Sequence, residues 1–135
     1  MKTTLALFTI LLFIQCNTST EPVQQNVIID SNPLHQTWCL TKKQGDFQPQ
    51  YLFITDAIKW TFTNQNTIIV SIMPGTLLNV SIPLPQNGTY TYELLADNKI
   101  KIANRTYVIV QTLSKLVLDA GLTSDSKKLY FDLTN

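Results

Sequence analysis

Apolar and polar residues alternate with a period of two along most of the chain beyond residue 34. Trp38 and Leu40 share a face, as do Ile58, Trp60 and Phe62, with Lys59, Thr61 and Thr63 opposite. Tyr90, Tyr92 and Leu94 repeat the pattern against Thr89, Thr91 and Glu93, Ile100 and Ile102 repeat it against Lys99 and Lys101, and Leu129, Phe131 and Leu133 close the chain in the same way. Side chains on a strand point alternately to its two faces, so this pattern predicts antiparallel strands with one face on a core and the other in water.

Turn signals separate the runs: Gln44-Gly45-Asp46, Asn64-Gln65-Asn66, Pro74-Gly75, Asn87-Gly88, Asp97-Asn98, Asn104-Arg105 and Ser124-Asp125-Ser126. Asn-Gly and Pro-Gly supply the positive φ that tight turns need. A spacing of about 8 to 12 residues predicts an all-β, antiparallel up-and-down meander, closed or nearly closed into a small barrel of about eight strands. Helical periodicity is missing, although Gln50 to Ala57 has room for a short helical turn. Pro83 and Pro85 each lack a backbone donor, which places Ile82 to Pro85 at an edge or in a loop. Between Thr106 and Leu118 the alternation of Tyr107 and Ile109 is overlaid by Val108, Val110 and Val117 on the opposite face. Such an outer face invites a cover, either the apolar trio Val27-Ile28-Ile29 or a second protein.

The first residues follow a different rule. Lys2 precedes an apolar run from Leu5 to Ile14, broken only by Thr9. It is too short to span a bilayer, which takes roughly 20 residues, so residues 1–15 read as a targeting segment. The run ends directly at Cys16 and resembles a bacterial lipoprotein signal, in which that cysteine takes a diacylglycerol and becomes the first mature residue. Gln15 stands where such signals usually carry Gly, Ala or Ser. Acyl chains of the palmitate kind hold a membrane at about 0.8 kcal/mol per buried methylene, and two or three together hold it almost permanently. The alternative is a secreted protein in which Cys16 pairs with Cys39, the other cysteine; a lone bridge from a chain terminus would restrain little. Residues 16–33, rich in Thr, Ser, Glu, Pro, Gln and Asn, read as a tether with a span of about 20 to 25 Å. Residues 34–135 form the predicted domain.

Composition narrows the function classes. Of ten basic residues Lys2 lies in the signal, which leaves nine against nine acidic ones. Charged residues are 14% of the chain, and Arg105 is its sole arginine. Nucleic-acid binding, which draws on clustered cations, is not expected. Lys42-Lys43 and Lys127-Lys128 read as solvated strand ends. His35 is the sole histidine, so neither a histidine-based metal site nor a cofactor-loaded centre is expected. At the start of the first strand it reads as a solvated end residue. The carboxylates Asp46, Asp56, Glu93, Asp97, Asp119, Asp125 and Asp132 fall mostly at turns. No enzyme is expected. Cys39, between Trp38 and Leu40, reads as a small apolar residue rather than a nucleophile. The sequons at Asn17, Asn79, Asn87 and Asn104 carry little weight in a chain so rich in Asn and Thr.

Leu34, Trp38 and Leu40, then Gly88-Thr89-Tyr90, Lys99-Ile100-Lys101-Ile102, Tyr107-Val108-Ile109 with Leu113, Leu116 and Leu118, and Leu129-Tyr130-Phe131 follow one another in an order that resembles lipocalin-like domains of small bacterial lipoproteins, those of the Bacteroidota in particular. Gln36 departs from the glycine that lipocalins usually place before the first-strand Trp, and the late arginine that stacks on that Trp has no counterpart after Arg105. Lys127 or Lys128 is available for that cation–π role. The resemblance implies a lipid-anchored module of the cell envelope. With a single acid, Glu21, in the five residues directly after Cys16, the periplasmic face of the outer membrane is favoured over the cell surface. It implies a small hydrophobic ligand in or at the mouth of the barrel, with Trp38, Leu40, Trp60, Phe62, Tyr90, Tyr92, Tyr107, Ile109 and Phe131 lining either that site or simply the core. The other reading is a structural or interaction lipoprotein with a side-chain-filled barrel, docking an envelope protein through Val108, Val110, Val117 and Tyr130. Geometry separates them: an enclosed apolar pocket of roughly 300 Å³ or more supports a ligand in a cup lined by these inward side chains, and a continuously packed lumen removes that reading.

Overall fold

Each alternating run becomes a strand, and the computed structural model joins them into one sheet that closes on itself. Residues 32–45, 49–121 and 127–134 are described. The signal segment, Cys16, Val27 to Ile29 and the Ser124-Asp125-Ser126 turn lie outside them. The strands are β1 (Thr37–Gly45), β2 (Tyr51–Leu52), β3 (Ile58–Phe62), β4 (Thr67–Ile72), β5 (Gly88–Leu95), β6 (Lys99–Ile102), β7 (Arg105–Gln111), β8 (Lys115–Asp119) and β9 (Lys127–Leu133). Each of β3 to β8 pairs antiparallel with the next in sequence, β1 pairs with β3, and β1 with β9 completes the ring. The result is an eight-stranded antiparallel barrel with β2 as an extra strand on the upper part of β1. No helix forms among the described residues: Tyr51 and Leu52 pair with Lys43 and Lys42 in place of the short helical turn expected there.

The inward positions meet across the sheet in register. Trp38 faces Trp60, Trp60 faces Val70, and Phe62 faces Ile68. Ile100 faces Tyr107, Leu116 faces Phe131, and Phe131 faces Leu40, which returns the row to β1. The aromatic rings interlock: Trp60 lies 5.1 Å from Phe131 and 6.4 Å from Phe62, and Phe62 meets Tyr92 edge-on at 5.5 Å. Pairs in this geometry contribute about 0.5–1.5 kcal/mol beyond their buried area.

One irregularity sets which side chains reach the upper rim. Leu40 lies opposite Phe131 and Lys42 opposite Tyr130, so Thr41 is an extra residue, a β-bulge. A bulge shifts the alternation by one position. Lys42 therefore points outward, its ammonium 3.8 Å from the Tyr130 ring centroid, and Lys43 turns inward beside Leu129 with 7% of its surface exposed. Lys43 is thus not the solvated strand end its doublet suggests. Lys128 pairs with Asp119 at 2.9 Å near the upper end. Trp38 sits at the lower end opposite Leu133, beyond reach of the cation–π role considered for Lys128.

Both ends are stoppered by loop residues. Below, the segment before β1 inserts Leu34, and Trp38 Nε1–H donates to its carbonyl at 3.0 Å. His35 belongs to the same closure: its Nε2 lies 3.1 Å from Tyr92 Oη and 3.3 Å from Asn32 Nδ2, while Tyr92 O–H donates to Thr63 O. It is half-buried and held rather than solvated. Above, the connection between β4 and β5 passes over the barrel. Pro83 and Pro85 keep it extended, so Ile82 and Leu84 point the same way, and both are buried.

The turn between β6 and β7 is one residue earlier than Asn104-Arg105. Ala103 and Asn104 take φ of 46° and 65°, with Ile102 opposite Arg105. Two successive positive φ values are the mark of a type I′ hairpin turn, in which Asn-Gly is favoured and alanine pays for its Cβ. Ala103→Asn is expected to stabilise the protein by about 0.5–1 kcal/mol, and a melting temperature in this size range rises about 4–8 °C per kcal/mol. A thermal melt checks it; an unchanged or lowered midpoint contradicts the account.

Candidate functional site at the upper rim

The barrel interior is full. Trp38, Leu40, Trp60, Ile68, Ile100, Ile102, Leu116 and Leu118 are 0% exposed, so no void wide enough for water touches them. Phe62, Tyr107 and Phe131 are buried to within 2%. Tyr92 is also buried, and Tyr90 and Ile109 are half-buried and pack against the same cluster. The nine residues singled out as ligand or core lining thus come together as a continuous core, with no cup between them. This packing removes the centre of the lumen as a ligand site. Trp60 Nε1 lies within the packed core with no hydrogen-bond partner.

Open space lies at the ends. The upper-rim pocket, of about 230 Å³, has Lys43, Arg105 and Tyr107 on its walls together with Ile82, Pro83 and Leu129. Three separate pieces of chain build it. The Thr41 bulge delivers Lys43, whose ammonium donates to the carbonyl of Ser81 in the loop overhead. Strand β7 delivers Arg105 and Tyr107, two residues apart and therefore on one face. The loop before β5 supplies Ile82 and Pro83 as an apolar wall.

Tyr107 is the unusual member. Its ring is 1% exposed, and its hydroxyl has no hydrogen-bond partner. Burial pushes its pKa up, against a weaker opposing pull from the nearby Arg105 guanidinium, whose contact with the hydroxyl falls short of hydrogen-bond geometry. A buried hydroxyl left unpaired costs about 1–3 kcal/mol, so such groups are rare and call for a reason. Arg105 is exposed and makes no ion pair with a described residue. No carboxylate lies among the described lining residues.

At the lower end a groove of about 400 Å³ runs past Leu34, Leu94, Leu95 and Ile109. Cys39 lies apart from both ends, on the outer face. It is 4% exposed, its Sγ accepts the Asp56 N–H at 3.0 Å, and burial raises its pKa, as suits an inert thiol. Asp119, close to the upper rim, is pushed up by partial burial but pulled further down by hydrogen bonds from Lys128 and from the Gly121 N–H, so its carboxyl sits below its ordinary value.

Sequence reasoning missed Lys43, because no feature of Thr41 announces a bulge. Arg105 was within reach, since it shares its parity with Tyr107 and Ile109. Neither a family model, nor a curated protein, nor a solved structure matches the chain.

Proposed function

We propose that the protein is a lipid-anchored, non-catalytic lipocalin-like module of the bacterial cell envelope that takes a small ligand with an apolar part at the barrel mouth. The observation that carries the reading is the pocket at the upper rim, where a filled barrel leaves concave space between polar groups of two strands and an apolar loop. Binding sites of this kind are concave and apolar with a few placed polar groups. The anchor rests on the Leu-rich run ending at Cys16 and on the tether that follows. The buried, hydrogen-bonded state of Cys39 fits a cysteine that needs no bridge to Cys16.

Native mass spectrometry of the protein purified from its own membrane tests both parts. The expected spectrum shows a chain beginning at Cys16 with a diacylglycerol mass on it and a small molecule lost on mild activation. A Cys16–Cys39 bridge or an unacylated Cys16 refutes the anchor. A ligand-free protein whose amides around Ala103 and Tyr107 stay unmoved by a broad panel of small molecules refutes the binding role. One observation favours a docking role instead: Val110, Val117, Tyr130 and Lys42 stand in register across the outside of four strands, with Val110 56% exposed. A protein companion in the same spectrum, in place of a small molecule, would select that reading.

A further inference from the structure

We infer that the upper end of the barrel, on its β3–β4 side, is a lipid-docking surface, where Leu52, Ile54, Met73 and Leu77 enter the headgroup–acyl boundary of the bilayer that holds the Cys16 anchor. The inference rests on the anchored reading and adds to it the face that meets the membrane. Two neighbouring turns carry most of the patch. Ile54 opens the turn into β3, where Ala57 N–H donates to Ile54 O at 3.1 Å, and Met73 opens the turn out of β4, where Thr76 N–H donates to Met73 O at 3.1 Å. Met73 N–H donates to Ala57 O at 2.8 Å and ties the two turns together. Leu52, Ile54 and Leu77 are 70%, 74% and 76% exposed, and Met73 is 49% exposed. One exposed aliphatic is ordinary, but several on adjoining turns of one rim mark an interaction site.

Charge decides what kind of surface they meet. Between Lys59 and Glu93 the chain has no charged side chain, and that stretch supplies β4, the long loop after it and most of β3 and β5. Asp56, in the Ile54 turn, is held by Lys59 at 3.1 Å. A hydrocarbon boundary accepts aliphatic side chains and rejects charge. Protein interfaces draw their binding energy chiefly from Trp, Tyr and Arg, and the four patch residues include none. The turn backbone suits burial as well, because Thr76 O–H also donates to Met73 O and Pro74 has no N–H to desolvate. The lower end is the competing face, with Leu113 94% exposed on the β7–β8 hairpin. There the ion pairs Lys99–Asp97 and Lys115–Asp132 set four charges around it. Reach allows the upper end to meet the bilayer. The described chain starts at Asn32 at the lower end, residues 17–31 extend to at most about 50 Å, and the nine residues of β1 rise about 30 Å.

The test uses acylated protein purified from its own membrane and reconstituted into phosphatidylcholine vesicles. With the Cys16 thiol acylated and Cys39 buried, Ile54→Cys, Leu77→Cys and Leu113→Cys each add one reactive thiol for a fluorophore. Labels at positions 54 and 77 are expected to be quenched by lipids that carry a quencher on the acyl chain, and the label at position 113 to be left in water. Ile54→Asp should abolish the quenching at position 77 while the protein still floats with the vesicles. All these positions are exposed, and an unchanged thermal melt shows that the fold is intact. Unquenched labels at 54 and 77 on a protein that floats would overturn the docking surface and leave the anchor standing. Quenching at position 113, or at position 77 despite Ile54→Asp, would overturn it too. A protein that leaves the vesicles altogether would sink anchor and docking together.

Discussion

Replacing Trp38 by alanine is expected to remove about 3–5 kcal/mol of stability, a large share of the roughly 5–15 kcal/mol that holds a domain of this size. Trp38 is 0% exposed and sits where the first strand meets both of its neighbours, opposite Trp60 on β3 and Leu133 on β9. It also holds the lower stopper, because its indole N–H donates to the carbonyl of Leu34. Alanine removes ring, hydrogen bond and seam packing together. A comparison of two milder variants isolates the hydrogen bond. Trp38→Phe leaves the Leu34 carbonyl without its donor, whereas Trp60→Phe deletes an indole N–H that has no partner in the core. Both lose similar volume, so Trp38→Phe should cost about 1–2 kcal/mol more. Urea titrations of the two variants, with a common slope, measure the difference. A Trp60→Phe protein as destabilised as Trp38→Phe would refute the assignment of that hydrogen bond as the tie on the stopper.

Much of this barrel is written in single residues. Trp60 between Lys59 and Thr61, or Ile100 between Lys99 and Lys101, can satisfy both water and core only on a strand, and the structure has them so. Pairing order follows from turns too short to allow any neighbour but the next run, as at Asp97-Asn98, where both residues take positive φ. Where local chemistry is ambiguous, tertiary packing decides. Ala103 adopts a turn conformation that alanine disfavours because Ile102 and Arg105 are already paired around it. Tyr51 and Leu52 become a strand because the upper part of β1 offers a free edge above the end of β3. His35 looks like a terminal polar residue in the sequence, yet the ring closure brings Tyr92 beside it from 57 positions away.

The same reasoning explains why the site was the least legible part. Its three polar groups come from β1 and β7, and Lys43 faces inward only through a one-residue slip in the β1–β9 register. Alternation counted from Trp38 and Leu40 would have sent Lys42 inward instead. The packed lumen then leaves a ligand nowhere to go but the rim. Eight strands enclose about the volume that side chains can fill, and Trp38, Trp60, Phe62 and Phe131 fill it. Fold and site thus answer to different features of one chain, the fold to its periodicity and the site to the places where that periodicity slips.

The largest effect of all is expected from removing β9. A chain ending before Lys127 loses Leu129 and Phe131 from the core and exposes both strands that β9 joins. The seam is extensive: β9 meets β1 from Trp38↔Leu133 to Gly45↔Lys127 and β8 from Lys115↔Asp132 to Asp119↔Lys128. Eight strands in a ring have no edge, and seven have two, each a row of unpaired backbone groups ready to recruit another chain. The truncated protein should show no cooperative melt and should aggregate. Adding a peptide of residues 127–135 in trans should restore a cooperative transition, since an added strand satisfies both edges at once. A truncated chain that still melts cooperatively within a few degrees of the full one would show that the β1–β9 seam is dispensable. That seam joins residues about ninety positions apart, so its closure must come late and slowly in folding. Until it forms, the inward parity of Lys43, set by the Thr41 bulge against β9, has nothing to fix it, and the rim pocket cannot exist without the closed ring.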